Sequence, residues 1–66
     1  MYNVGDTVYR TGGAYQHIPA KVVANHSVRK YDKNGTMQTI TLTEVHYDGD
    51  RYSYMYPDEF LRERAQ

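Results

Sequence analysis

A histidine between two acidic residues is the first group of side chains that could do chemistry. Glu44, His46 and Asp48 are spaced two residues apart, and on a β-strand this spacing directs all three to one face. Such a row could hold a metal ion or raise the pKa of the histidine. We favour a row of cross-strand ionic pairs on a solvated face. We predict no metal and no cofactor.

A nucleophile with an adjacent base is not visible in the sequence. Ser27 and Ser53 have no flanking motif, and the chain contains no cysteine. The three histidines lie far apart, without partnered spacing: His17, His26 and His46. Covalent catalysis needs a nucleophile within hydrogen-bond reach of a base. We therefore predict no catalytic residue and a protein that is not an enzyme.

A row of tyrosines is the best candidate for a binding surface. The chain has eight tyrosines and no tryptophan, and alternation puts Tyr52, Tyr54 and Tyr56 on one face of a strand. Three buried tyrosines would crowd a small core, so we expect Tyr52 and Tyr54 to face outward and Tyr56 to turn inward at Pro57. An outward stripe suits a protein partner, a second subunit or a stacked base. Ordinary pairing with threonines of the neighbouring strand is the alternative.

A basic patch is the feature that would favour nucleic acid. Four cations fall within one third of the chain: Lys21, Arg29, Lys30 and Lys33. The whole chain carries eight basic and eight acidic residues, a formal net charge of zero, whereas nucleic-acid binders usually show a basic excess. Nucleic-acid contact through these four residues is an alternative, which a steep loss of affinity with added salt would identify.

The length of the chain predicts a single domain over residues 1–66 with marginal stability. A chain this short buries only about 60% of its unfolded surface, and without cysteines it has no disulfide to compensate. We therefore expect self-association into a homo-oligomer. The sequence shows no signal peptide and no long apolar run, so we expect a cytoplasmic protein without membrane contact.

Turn residues and alternation predict an all-β chain. Asn34-Gly35 and Asp48-Gly49 favour two-residue hairpins with type I′ turns, between strands that we expect over residues 20–31, 36–47 and 51–56. Pro57 followed by two acidic residues favours one helical turn, which then leads into a brief last strand.

The longest β-prone run has its apolar residues in two phases. Ile40 and Leu42 predict a core-facing stripe, and a bulge near Glu44 would exchange the faces and bury Val45 and Tyr47 as well. Residues 25–30 are polar on both faces apart from Val28. This segment is therefore expected to project from the core or to lie on a partner.

The order of elements resembles an SH3-like barrel, similar to Tudor, KOW and many small bacterial barrels. The opening Gly5-Asp6-Thr7-Val8 resembles the Gly-Asp-x-Val start of these families, and Tyr56-Pro57-Asp58-Glu59-Phe60-Leu61 resembles their helical-turn ending. The resemblance implies a five-stranded antiparallel SH3-like barrel with a short helical turn before the last strand.

The same resemblance implies where a ligand would bind. In SH3-like barrels the long first loop and the neighbouring hairpins commonly form the ligand groove. The implied contact residues are Tyr15, Gln16, His17, Tyr52 and Tyr54. We predict a small non-catalytic binding module that uses this tyrosine-rich face for a protein partner or for self-assembly. A Tudor-like cage for a cation is another use of four tyrosines: Tyr15, Tyr47, Tyr52 and Tyr54.

The chain is also similar to the plasmid-encoded type II dihydrofolate reductase, a tetrameric SH3-like barrel. It shares Gly13-Ala14-Tyr15-Gln16 and a Tyr-Pro pair followed by Leu61. In that family a Val-Gln-Ile-Tyr stretch lines a central pore, assisted by a lysine; the matching positions here are Ser53-Tyr54-Met55-Tyr56 and Arg10. This likeness implies an oligomeric pore enzyme as a further alternative. By analogy, a free-standing barrel of this size suits a phage, plasmid or accessory bacterial protein.

Overall fold

The computed structural model describes residues 2–64, so residues 1, 65 and 66 of the predicted domain lie outside it. The described residues form five strands and one 3-10 helix in the order β1 Thr7–Arg10, β2 Ala20–Tyr31, β3 Met37–Tyr47, β4 Ser53–Pro57, η1 Asp58–Phe60 and β5 Leu61–Arg62. All pairings are antiparallel, in the order β4-β3-β2-β1-β5. The predicted all-β fold is confirmed. The sheet is open along this order, with β4 and β5 at its ends, so closure into a barrel stays a prediction.

A single turn of 3-10 helix carries the chain from β4 to β5. Pro57 has φ −58°, suited to the entry of a helical turn, and Asp58 and Glu59 form its first turn. The turn ends at Leu61, which is buried in the core, while the Phe60 carbonyl accepts the Thr11 amide at 2.9 Å. These contacts seat β5 beside β1. Within residues 2–64, no helix has the length and apolar character needed to cross a membrane.

The core lies at one end of the molecule, where β1, β4 and β5 flank β2 and β3; this end is named the packed half. Its buried apolar residues are Val8, Ala20, Val22, Val45, Tyr47 and Leu61. Tyr2, Tyr54 and Tyr56 are half-buried and pack against them. Burial of this small apolar set supplies the main stabilisation of the domain.

A network of polar side chains lies beside the core, at the point where β2 and β3 leave it. Thr43 is fully buried; its hydroxyl donates to Asp58 Oδ1 and lies 3.2 Å from Asn25 Oδ1. The Asn25 amide nitrogen donates to the Tyr2 carbonyl at 2.7 Å, and the Tyr2 hydroxyl donates to the Leu61 carbonyl at 3.1 Å. The network therefore joins the N-terminal segment, both long strands, the 3-10 helix and β5.

The two long strands continue beyond the packed half as a two-stranded ribbon. β2 and β3 pair from Ala20↔Tyr47 to Tyr31↔Met37, but β1 pairs only with the first two residues of β2. β4 pairs only with β3 residues 42–46. Residues 25–31 and 37–41 have no flanking strand in the described chain and are named the arm. The elongated shape, 40 × 21 × 20 Å, and the lack of flanking strands confirm the predicted projection for residues 26–30. Asn25, at the base of the arm, is instead half-buried and bonded into the polar network.

A β-bulge separates the arm from the packed half. Val22 pairs with Val45 and Ala24 with Glu44, which leaves Val23 as the extra residue of β2. The bulge predicted at Glu44 thus lies on the opposite strand, and the consecutive pairing of β3 keeps its side chains alternating. Because Val45 faces the core, the expectation that Ile40 and Leu42 face it too is wrong.

The first hairpin turn differs from the type I′ turn predicted for it. Type I′ needs positive φ at two residues, whereas Gly35 has φ +78° and Asn34 does not have a positive φ. Asp32 and Thr36 pair across a three-residue loop (Asp32 amide to Thr36 carbonyl, 3.0 Å), and the Gly35 amide donates to the Asp32 carbonyl at 3.0 Å. The Asp32 carboxylate also accepts the amides of Asn34 and Thr36, each at 2.9 Å. This is the three-residue hairpin loop with a left-handed glycine at its end.

The second hairpin loop is longer than two residues. β3 ends at Tyr47 and β4 begins at Ser53, with His46 and Ser53 as their last register pair, so residues 48–52 connect the strands. The Asp50 amide donates to the Tyr47 carbonyl at 3.0 Å, and Gly49, third in that turn, has φ +80°, as a type II turn requires. Tyr52 consequently lies in the loop, outside β4.

Candidate binding surface

Four tyrosine rings meet at the end of β3. The Tyr15 and Tyr47 rings are 4.8 Å apart at an interplanar angle of 76°, edge to face. Tyr47 lies 5.9 Å from Tyr54, and Tyr54 stacks on Tyr56 at 6.4 Å. These four residues are named the tyrosine cluster. They bring the first loop and β4 together, and they include Tyr15 and Tyr54, two of the contact residues that the SH3-like resemblance implied.

Two consecutive turns hold Tyr15 over the end of β3. The Gln16 amide donates to the Gly13 carbonyl at 3.4 Å, and the Ile18 amide donates to the Tyr15 carbonyl at 3.0 Å. Gly13 has φ +83°, which side chains rarely adopt. Tyr15 therefore covers Tyr47 and keeps 38% of its own surface exposed, whereas Tyr47 keeps 4%.

The β4 tyrosines face the core side of the sheet. Tyr54 pairs with Val45 and Tyr56 with Thr43, and directly paired residues share a face. The prediction that Tyr54 faces outward is therefore wrong; Met55 lies on the outer face. The Tyr54 hydroxyl does not crowd the core, because it points to the rim, where Asp50 Oδ2 accepts it at 3.1 Å.

Asp50 organises the rim beside the cluster. Its carboxylate also accepts the Tyr52 amide at 3.2 Å, and its carbonyl contacts His46 Nε2 at 2.7 Å. The Tyr52 amide, and then the Tyr54 hydroxyl, hold the pKa of Asp50 below its usual value. The same bond to the carboxylate raises the pKa of Tyr54. At neutral pH an ionised Asp50 thus fixes the position of the Tyr54 ring.

Arg10 supplies the positive charge of the surface. Its guanidinium carbon lies 5.0 Å from the centroid of the Tyr56 ring, a cation–π distance. A Cβ at Gly13 would lie 2.8 Å from Arg10 Nη1, so the first loop approaches this side chain closely. Within residues 2–64, no carboxylate forms an ion pair with Arg10.

The Tyr47 hydroxyl is buried without a hydrogen-bond partner among the described residues. Burial, with the nearby Tyr56 hydroxyl as the next cause, raises the pKa of Tyr47 to about 12. The Tyr47 and Tyr56 hydroxyls do not form a normal hydrogen bond, and the Tyr47 oxygen therefore has no partner among the described residues. Tyr47 is thus the neutral, apolar floor of the cluster.

The rings do not form the cation cage that the sequence allowed. Tyr15 and Tyr47 touch edge to face, the geometry of ring packing, and do not face a common empty space. Tyr52 is 65% exposed in the loop before β4 and lies outside the cluster. Gln16 and His17 follow Tyr15 on the loop, half-buried and exposed respectively.

The four predicted nucleic-acid contacts do not form one patch. Lys21 lies at the start of β2, where its Nζ donates to Thr7 Oγ1 at 3.1 Å. Arg29 and Lys30 are adjacent on β2 and so face opposite sides of the arm; Lys33 lies in the turn at its tip. Nine residues of strand, about 30 Å, separate Lys21 from Lys30.

The predicted acidic and histidine row is divided among different partners. Glu44 Oε1 contacts His26 Nε2 at 2.7 Å, diagonally across β2 and β3, while His46 contacts the Asp50 carbonyl. Asp48 lies in the following turn. No group of three or more His, Cys, Asp or Glu side chains within residues 2–64 is placed to hold a metal ion.

Asp50 was not predicted as part of the surface, and Arg10 was named only as the position that matches the pore lysine of the reductase family. Arg10 has a usable signal: it follows the core residue Val8 by two positions, so it shares the core face of β1. Asp50 has none, because its role depends on the long loop that the hairpin adopts. Comparisons with protein families, with curated proteins and with solved structures give no match to this chain.

Proposed function

We propose that this chain is a small non-catalytic binding module that holds an extended peptide segment of a partner protein across the first loop and β4. The observation that carries the proposal is the convergence of Tyr15 and Tyr54 on Tyr47, with Arg10 stacked on Tyr56. This surface combines partly exposed ring area with a single cation that has no acidic partner in the described chain.

The chemistry of these side chains suits a peptide ligand. Tyrosine offers a large apolar ring with a polar tip and loses little conformational freedom on binding, so it is enriched at interface hot spots. Arginine forms directional, charge-assisted hydrogen bonds to carboxylates. We therefore expect the bound segment to place an apolar side chain on the rings of Tyr15 and Tyr54 and an acidic side chain near Arg10.

The surface is also preorganised. Tyr15 rests on Tyr47, and Tyr54 is held by Asp50. Side chains already fixed before association lose less entropy on binding. The polar groups at other candidate positions are engaged within the sheet, as His26 is with Glu44 and His46 with the Asp50 carbonyl.

The strand order supports the further inference that the open sheet curls into an SH3-like barrel. β5 pairs with β1 and follows β4 after one helical turn, the arrangement that the resemblance implied. In such barrels the first loop and neighbouring hairpins form the ligand groove. The tyrosine cluster lies between these same elements.

A displayed library of random peptides tests the proposal without a known partner. The chain is used as bait, and enriched peptides are measured against three single variants: Tyr15→Ala, Arg10→Gln and Tyr31→Ala. Tyr31 is an exposed tyrosine of the arm and serves as the matched control. We expect the first two variants to lose at least about tenfold in affinity and Tyr31→Ala to bind like the parent.

Two results would overturn this function. One is a library that yields no peptide above background. The other is a set of peptides that bind Tyr15→Ala and Arg10→Gln as tightly as the parent, which would place the contact elsewhere. Folding of each variant is checked by its backbone NMR spectrum.

A further inference from the structure

We propose that the arm is a docking surface for the arm of a second copy of this chain, packed face to face about a twofold axis. One face of the arm carries an apolar patch of Val28, Ile40 and Leu42. Val28 pairs with Ile40, and His26 with Leu42 at the base, so these side chains share a face. Lys30 and Gln38 pair on the same face near the tip. Val28 is 38% exposed, and Ile40 and Leu42 are half-buried. This face is the reverse of the one that carries the core in the packed half.

An isolated two-stranded ribbon has a physical reason to acquire a cover. Ribbons of this kind are only marginally stable in water and gain independent stability when an apolar face packs on another layer. Over residues 25–31 and 37–41 the described chain provides no third strand. The core cannot serve as the cover, because Val45 and Tyr47 face the other way along β3.

The distribution of charge along this face selects a second copy as the cover. Lys30 lies near the tip of the arm, and Glu44 lies at its base on the same face, with Val28, Ile40 and Leu42 between them. A twofold axis that lies between the two faces, perpendicular to the strands, exchanges tip and base. It therefore brings Lys30 of one copy over Ala24 of the other and beside Glu44, the register partner of Ala24, twice around a shared apolar centre. Zero net charge adds no long-range repulsion between copies.

The size of the face sets the strength of the contact. From Lys30 to Ala24 the strand runs about 20 Å, and the ribbon is about 10 Å wide. This footprint is well below the roughly 800 Å² per partner of a standard stable interface. The dimer is therefore weak, and it forms at high micromolar concentration while dilute protein stays monomeric.

Sedimentation equilibrium from about 10 μM to about 1 mM spans the range expected for such a weak interface. The parent chain is compared with Val28→Lys and with Ser27→Lys. Ser27 is exposed, adjacent to Val28 on β2, and directed to the opposite face. We expect the average mass of the parent and of Ser27→Lys to rise toward that of a dimer, and Val28→Lys to stay monomeric.

A charge exchange tests the twofold arrangement itself. Lys30→Glu and Glu44→Lys are each expected to weaken the dimer about tenfold, and the double variant is expected to recover most of the loss. Lys30 and Glu44 lie about 20 Å apart within one chain, so recovery cannot come from a contact inside the monomer. Glu44→Lys also removes the contact of Glu44 with His26. Lys30→Glu leaves that contact in place, so its effect on dimer affinity reports the intermolecular charge pair alone.

The proposal is overturned by a parent chain that stays monomeric to about 1 mM, or by a dimer that Val28→Lys leaves intact. A dimer abolished by Tyr15→Ala but not by Val28→Lys would also overturn it, since the contact would then be at the tyrosine cluster. The peptide-binding proposal uses the other surface, so either proposal can fail without the other.

Discussion

The packed half and the arm are built from the same two strands, yet they differ in what covers them. In the packed half Val22 and Val45 are 1% and 0% exposed, because β1, β4 and β5 enclose that face. In the arm the equivalent pair, Val28 and Ile40, stays partly open to solvent. Strand length and pairing alone therefore do not define the core of so small a domain.

The bulge at Val23 explains why the apolar residues of the two regions lie on opposite faces. In β2 the apolar residues stay at even sequence positions, with Val22 before the bulge and Val28 after it. The extra residue moves the second set to the reverse face. β3 has no extra residue, and its apolar residues change instead from even positions, as Ile40, to odd positions, as Val45. The register is therefore consistent only with two separate apolar surfaces.

The largest contrast is expected from removal of one apolar side chain in each region. Val45→Ala leaves a cavity in a core of few residues and should lower the free energy of unfolding by about 2–3 kcal/mol. Ile40→Ala should cost less than about 1 kcal/mol in dilute solution, because its side chain keeps solvent contact. Urea denaturation at low protein concentration measures both. Equal costs would contradict the division into two regions.

A second contrast concerns two threonines of β3 on the same face. Thr43→Val removes the hydroxyl that donates to Asp58 Oδ1 in a fully buried position, and we expect a loss of about 1–2 kcal/mol. Thr41→Val, two residues toward the arm, should change stability by less than about 0.5 kcal/mol. The same urea experiment applies, and a neutral Thr43→Val would show that the network contributes nothing to the packed half.

These contrasts also show how far the sequence was informative. The strands, the helical turn before β5 and the projection of residues 26–30 follow from local alternation and turn residues. The face of the sheet on which each apolar stripe lies does not follow from them, because it depends on which strand carries the bulge. The prediction that Ile40 and Leu42 face the core is wrong for this reason, since the extra residue is in β2 and not in β3.

The candidate surface was predictable only in part. Tyr15 and Tyr54 were placed on it by resemblance, and the structure brings them together. The outward orientation expected for Tyr54 was wrong, because its hydroxyl reaches Asp50 at the rim and does not have to be accommodated inside the core. Tyr52 was grouped with β4 because a two-residue turn was expected, whereas the hairpin has a longer loop.

Alanine at the hairpin glycines should separate the two regions by where the cost is felt. Gly35 and Gly49 both have positive φ and open space around the missing Cβ, so each substitution strains the backbone by about 1 kcal/mol. Gly49→Ala should lower global stability, whereas Gly35→Ala should mainly increase opening of the arm. Urea denaturation reads the first effect and amide exchange in the arm reads the second. Equal global losses would contradict this expectation.

The smallest effect near neutral pH is expected at Tyr47. Tyr47→Phe removes a buried hydroxyl that has no partner in the described chain, so stability should be unchanged or slightly higher. The pKa of Tyr47 is about 12 in the folded chain against an ordinary value of 10.0. The part of the folding stability that depends on protonated Tyr47 is therefore fully present below pH 10 and is lost as the pH rises toward 12.

The advantage of Tyr47→Phe over the parent should consequently grow across that alkaline range. Thermal unfolding of both proteins at pH 8, 10 and 11 measures the difference. Tyr2 and Tyr54, whose pKa values are also raised, remain in both proteins and act as an internal reference. A constant difference at all three pH values would contradict the assigned burial of Tyr47.

Native-state hydrogen exchange, read residue by residue, tests most directly whether the arm and the packed half are separate in stability. In dilute protein we predict that the paired amides of residues 25–31 and 37–41 exchange through local opening, far faster than those of Val22 and Val45. At about 1 mM the arm amides should gain protection while the packed half is unchanged. Arm amides that are as protected as those of the core in dilute monomer would contradict the separation of the two regions.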